Sequence, residues 1–122
     1  MLCAIFLHLA PAATANLARP GVMDAVAESA RGGSAPSVAV LTALGQPEEF
    51  ARLFVERLAY LLRLREAGIL RGAGPFAELK DGMYLCNVPD EREAHRIMEA
   101  DPFLRTGLIE PDYAIRRWLA AV

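Results

Sequence analysis

The chain has little cysteine, two residues in 122, and Cys3 and Cys86 each stand alone among apolar neighbours. There is no disulfide framework and no Cys/His cluster with metal-ligand spacing, so two buried thiols and no structural metal are expected. It also lacks a basic run. Lys and Arg total 13 against 15 Asp and Glu, a formal charge of −2, which argues against nucleic acid as a partner. There is no Gly-x-Ser-x-Gly, phosphate loop or dinucleotide fingerprint. "GAGPF" (72–76) has glycines but lacks the following helix that a phosphate site needs. No apolar run is long enough to span a bilayer. "MLCAIFLHLAPAATA" ends in an Ala-x-Ala pattern, as a secretory signal can. It has no leading Lys or Arg, and His8 and Pro11 interrupt its apolar run. A soluble cytoplasmic protein without membrane attachment or cofactor is the expectation.

The apolar fraction is 54% and the charged fraction 23%. At this length one domain is expected, and so apolar a small domain often hides surface in an oligomer. "LCAIFLHL" (2–9) is a strand candidate. Residues 10–36 are rich in Ala, Gly, Pro and Ser, with "VMDAVAESA" able to form a short helix, and "SVAVLTAL" (37–44) reads as a β-branched strand. "QPEEFARLFVERLAYLLRLREAG" is the strongest helix, opened by Pro47 and two glutamates and stopped by Gly68. "ILRGAGPFAEL" and "GMYLCNV" read as strands joined through "KDG". Asp90 and Glu93 then have capping-box spacing at the start of a second helix, and "IEPDYAIRRWLAAV" reads as a last strand. From residue 37 the order is β-α-β-β-α-β, a ferredoxin-like α+β arrangement with two helices on one face of an antiparallel sheet.

Two charges are out of place. On the first helix Phe50, Leu53, Phe54, Leu58, Leu61 and Leu64 share an apolar arc, and Arg57 falls inside it. On the second, Asp101 continues the stripe of Ala94, Ile97 and Met98 at a C-terminus, the pole that favours cations. Both would aim at the sheet, where Gly72 and Gly74 leave room for a ligand. The structural alternative is that Arg57 snorkels at a helix edge while Asp101 caps a turn or pairs with Arg105. His8 in an apolar strand, beside Phe6 and Ala4, suits burial more than catalysis. His95 sits at its helix flank, and Tyr113 and Trp118 suit core or interface packing.

"LAYLLRLREAGILRGAGPF", a hairpin, and "EAHRIMEADPFLRTGLIEPDYAIRRW" together resemble the YciI-like (YCII-related) family over about residues 37–119. The resemblance implies a small homodimer of the dimeric α+β barrel superfamily, with a His from the first helix and an Asp from an Asp-Pro-Phe/Tyr motif as a proposed catalytic pair. Few members have known reactions; one is removal of chloride from a chlorinated hydroxyquinol-type substrate. Asp101, Pro102 and Phe103 match the motif, and Arg57 stands where the family has histidine. A His–Asp pair shuttles protons near neutrality; arginine stays charged and cannot be that base, but it can hold a carboxylate, phenolate or developing enolate. Beside it a carboxylate is a weak base and a poor acid.

The expectation is therefore an enzyme catalysing isomerisation or elimination on a small anionic or aromatic-derived metabolite. Asp101 would move a proton, Arg57 would hold charge, and Gly72, Gly74, Phe103 and His8, brought to the pocket entrance by the first strand, would contact substrate. The alternatives are a ligand-binding or accessory protein that has lost the histidine, and a partner-interaction module using its N-terminal segment. Residues 1–36 are taken as an N-terminal extension before a family domain at 37–122. The other arrangement makes 2–9 the family's first strand and 10–46 an insertion.

Overall fold

The computed structural model describes residues 1–121. Its sheet begins with the apolar N-terminal run. In β1 (Leu2–His8) alternate residues Cys3, Ile5 and Leu7 point into the core, as period-two geometry requires. Four helices follow: α1 (Pro11–Leu17), α2 (Val22–Arg31), α3 (Val38–Ala43) and α4 (Glu48–Glu66). Then come β2 (Leu70–Pro75), β3 (Asp81–Asn87), α5 (Glu91–Glu99), α6 (Pro102–Arg105) and β4 (Ala114–Arg117). The sheet order is β2-β3-β1-β4 and every pairing is antiparallel. The α+β class and the antiparallel sheet are those read from the sequence.

The first strand is not at 37–44. That segment is α3, capped by Ser37, whose hydroxyl accepts from the Val40 amide at 3.2 Å, and ended before Gly45 at φ 94°. Its Val38, Leu41 and Leu44 also fit a helical stripe, and tertiary context overrides the β-branched propensity. The place beside β3 belongs to β1, so 37–122 alone holds three of the four strands. The turn between β2 and β3 also lies earlier than "KDG". Leu79 donates its amide to the Phe76 carbonyl at 2.8 Å, and Asp81 and Gly82 are already in β3.

Helix α4 packs on β2, and α5 packs on β1 and β4. It buries Phe50, Ala51, Phe54, Arg57 and Leu61, so the arc with its misplaced arginine does face inward. Helix α5 begins at Asp90, whose carboxylate accepts from the Glu93 amide at 2.9 Å, and buries Ala94, Ile97 and Met98. Cys3 and Cys86 are cross-strand partners, both fully buried and both free thiols. Gly82 is required by close approach: a Cβ there would lie 2.9 Å from the Gly74 carbonyl oxygen. The opposite sheet face carries Ala4, Phe6, Met83 and Leu85, with Phe6 paired to Met83 and Ala4 to Leu85. No described helix is long and apolar enough to cross a membrane.

Candidate functional site

Asp101 is not at the wrong end of a helix. Pro102 ends α5 and starts α6, so Asp101 is the N-cap of the next helix, and its Oδ1 accepts from the Phe103 amide at 2.8 Å. The carboxylate is fully buried. Arg57 enters from α4, and its Nε lies 3.4 Å from Asp101 Oδ1. Between them stands Tyr84 of β3, which accepts a hydrogen bond from Arg57 Nη2 and donates one to Asp101 Oδ2. Three elements thus bring an arginine, a phenol and a carboxylate into one buried cluster.

The electrostatics of this cluster follow from its burial. Desolvation drives the Tyr84 phenol far above its ordinary range; Arg57 opposes the shift and Asp101 adds to it. The phenol therefore stays protonated and keeps its donor role toward Asp101. Burial works against the Arg57 charge, but Tyr84 and Asp101 outweigh it and hold the guanidinium above its usual value. The guanidinium carbon also sits 4.5 Å from the Phe103 ring centroid, and that ring packs with Phe50 and Phe54 at 5.6 and 5.8 Å. Arg57 Nε has no hydrogen-bond partner of good geometry among the described residues.

Arg57, unlike Tyr84 and Asp101, lines a cavity beside the cluster. The space measures about 90 Å³ and is lined by Leu17, Met23, Val26, Phe54, Leu58, Leu61, Ala73, Gly74, Pro75 and Arg57. Its one ionisable lining group is that arginine. The residues read from the sequence divide accordingly. Arg57 and Asp101 meet, Phe103 stacks on the guanidinium, and Gly74 lines the cavity, while Gly72 lines a neighbouring depression without Arg57. Phe103 is itself fully buried, so it shapes the arginine rather than lining open space.

His8 departs from its expected burial. It lies exposed on the sheet face away from the helices, with Nδ1 2.5 Å from Asp81 Oδ1, because its register partner in β3 is that aspartate. It lines a different depression, with Thr14 and Lys80. His95 is exposed and 2.9 Å from the Tyr113 hydroxyl, and Trp118 is about half exposed. Tyr84 is the residue that the sequence reading passed over. A tyrosine on the inward register of β3, between Gly82 and Cys86, needs a polar partner for its hydroxyl, and that signal was available.

The sequence profile of the YCII-related domain matches residues 35–119. The chain belongs to the YCII-related family. No curated protein sequence matches it. Among solved structures it is similar to 5-chloro-2-hydroxyhydroquinone dehydrochlorinase (TftG) from Burkholderia phenoliruptrix AC1100, in complex with 2,5-dihydroxybenzoquinone. The TM-score is 0.57 at 17% identity, covering 98% of this chain and 94% of the other. At that identity the likeness shows the fold, a YciI-like α+β fold. Within it this member of the family carries Arg57 on the cavity wall, supported from behind by Tyr84 and Asp101.

Proposed function

We propose that the protein is a small YciI-like enzyme of the cytoplasm, working without a resident cofactor. It binds a small anionic or aromatic-derived metabolite and catalyses an elimination or isomerisation on it. The observation that carries this reading is a nearly buried arginine as the sole ionisable group on an otherwise apolar cavity wall. In such a low-dielectric setting a guanidinium favours an oxyanion strongly. A substrate that is itself an acidic enol or phenol needs no strong protein base. Such a ring first ketonises: one O–H proton leaves to water and a proton from water adds to the ring carbon bearing X, which makes that C–X bond allylic. A second O–H proton then leaves to water, its oxygen pair forms C=O, the enol C=C shifts, and the C–X bond breaks with X− departing. Arg57 would hold the charge on oxygen throughout. Asp101 is sealed from the cavity, so it acts through Arg57 and Tyr84, and any proton it accepts would pass by way of the Tyr84 hydroxyl.

A homodimer formed by the sheet face bearing Phe6, Met83 and Leu85 belongs to the same reading. That face is apolar and uncovered by this chain's helices.

The test uses 5-chloro-2-hydroxyhydroquinone for chloride release and 2,5-dihydroxybenzoquinone for binding by calorimetry. The comparison is with an Arg57→Gln/Asp101→Asn double variant, which leaves no lone buried charge. Binding that falls at least tenfold in the folded double variant supports the reading, and unchanged binding overturns it. A second reading, a ligand-binding protein without turnover, is favoured by the lack of a group titrating near neutrality on the cavity wall. Binding without chloride release would select it.

A further inference from the structure

Most of the Arg57 cavity is built from elements of the sheet and α4, but its remaining wall comes from the segment between β1 and α4. Leu17 belongs to α1, and Met23 and Val26 belong to α2. Helix α2 is lightly held. It buries one residue, Val22, and its N-cap is Gly21, with no side-chain cap. Two side-chain hydrogen bonds from outside reach its end, Arg65 Nη2 to the Ala30 carbonyl at 3.1 Å and Ser34 Oγ to the Ser29 carbonyl at 3.4 Å. Glycines flank it on both sides in the left-handed region, Gly21 at φ 83° and Gly33 at φ 79°, and residues 31–34 are exposed. Glycine accommodates a change of backbone direction at little steric cost.

Size turns this anatomy into a functional statement. A dry cavity of about 150 Å³ is known to accept a benzene ring, and the space here is about 90 Å³. A single ring is wholly enclosed only if a wall moves. The walls from α4 and β3's neighbour β2 are fixed by the core and the sheet ladder, whereas α2 buries only Val22 fully and rests on the core through the half-buried Met23 and Val26.

We propose that α2 is the movable roof of the Arg57 cavity and that Met23 and Val26 select the ligand, a small monoanion with one flat apolar ring. This rests on the reading of Arg57 as an anion holder and adds the size limit and the residues that set it. Met23 and Val26 line the same space as Arg57 with apolar side chains, and in the proposed pose the anion lies at Arg57 and the ring edge under α2. Removing one or two methyl groups from a hydrophobic pocket changes discrimination by about tenfold or more.

The experiment has a ligand-free arm and a binding arm. In the first, Val22→Cys is labelled with iodoacetamide, with buried Cys3 and Cys86 as internal standards. The thiol introduced at position 22 should react at least tenfold faster than Cys86, and saturating benzoate should slow it. Protection equal to that of Cys86 makes α2 part of the fixed core and overturns the proposal. In the second, dissociation constants for benzoate and 2-naphthoate are compared in wild type, Met23→Ala and Val26→Ala. The preference for benzoate should shrink about tenfold in either variant; an unchanged ratio overturns the assignment of these residues. Benzamide separates the two readings. If it binds as tightly as benzoate, the charge reading of Arg57 fails while the size ratio still reports on α2.

Discussion

Tyr84 donates its hydroxyl proton to Asp101 while accepting from Arg57, so one phenol joins an α4 residue to the N-cap of α6. It makes the buried charges a single hydrogen-bonded unit. Tyr84→Phe should keep the ring packing and leave one donor and one acceptor unmatched. A loss of about 1–3 kcal/mol in urea unfolding, with secondary structure intact, is expected. A change within experimental scatter would mean that Arg57 and Asp101 stand without it.

Asp101→Asn removes the charge that balances Arg57 and keeps the side-chain shape. A buried pair broken on one side costs about 3–5 kcal/mol. Thermal and chemical unfolding should both show it, and the Arg57→Gln/Asp101→Asn double variant should recover part of the loss. Additive losses in that cycle would contradict a coupled pair.

His8 should titrate above its ordinary 6.5, chiefly because Asp81 hydrogen-bonds the ring; desolvation opposes this, and Asp112, Asp81 and Glu110 add attraction. A folded value above the unfolded one gives a stabilisation present below pH 6.5 that fades as pH rises through the folded value. NMR titration of the ring proton should place the midpoint above 6.5 in wild type and lower in Asp81→Asn. Identical midpoints in the two proteins would show the contact to be absent in solution.

The sheet face offers a test of assembly. Sedimentation at micromolar concentration should give a dimer, and Phe6→Glu should raise its dissociation constant at least tenfold, since burying a phenylalanine contributes about 1.5–3 kcal/mol. A monomeric wild type would remove the assembly from the proposed function.

Arg57 was legible in the sequence because helical spacing assigns it to an inward face, where a charge is costly and demands a reason, whereas Asp101 was reached by extending the α5 stripe although it is buried as the N-cap of α6. Tyr84 was less visible, since a tyrosine in a strand is ordinary and its partners are far away along the chain. The strand at 37–44 failed for a different reason. Val38 and Val40 carry β propensity, yet "SVAVLTALG" also carries an N-cap serine and a terminal glycine, and the competition was decided by β1. His8 was placed inward by its apolar neighbours, whereas period-two alternation put Phe6 and His8 on the outer face together.

Because β1 pairs with β3 and β4, it waits during synthesis for partners some eighty residues later in β3, from Leu2 with Asn87 to His8 with Asp81, and for β4 later still. Loop closure over that span must precede any ladder contact of β1, which places the protein among slower-folding topologies. Until then "LCAIFLH" is an uncharged, β-prone segment with no mate, a site for chaperone capture or for pairing with another nascent chain. Deleting residues 2–8 would therefore remove a strand from the middle of the sheet and leave β3 and β4 without the partner that joins them.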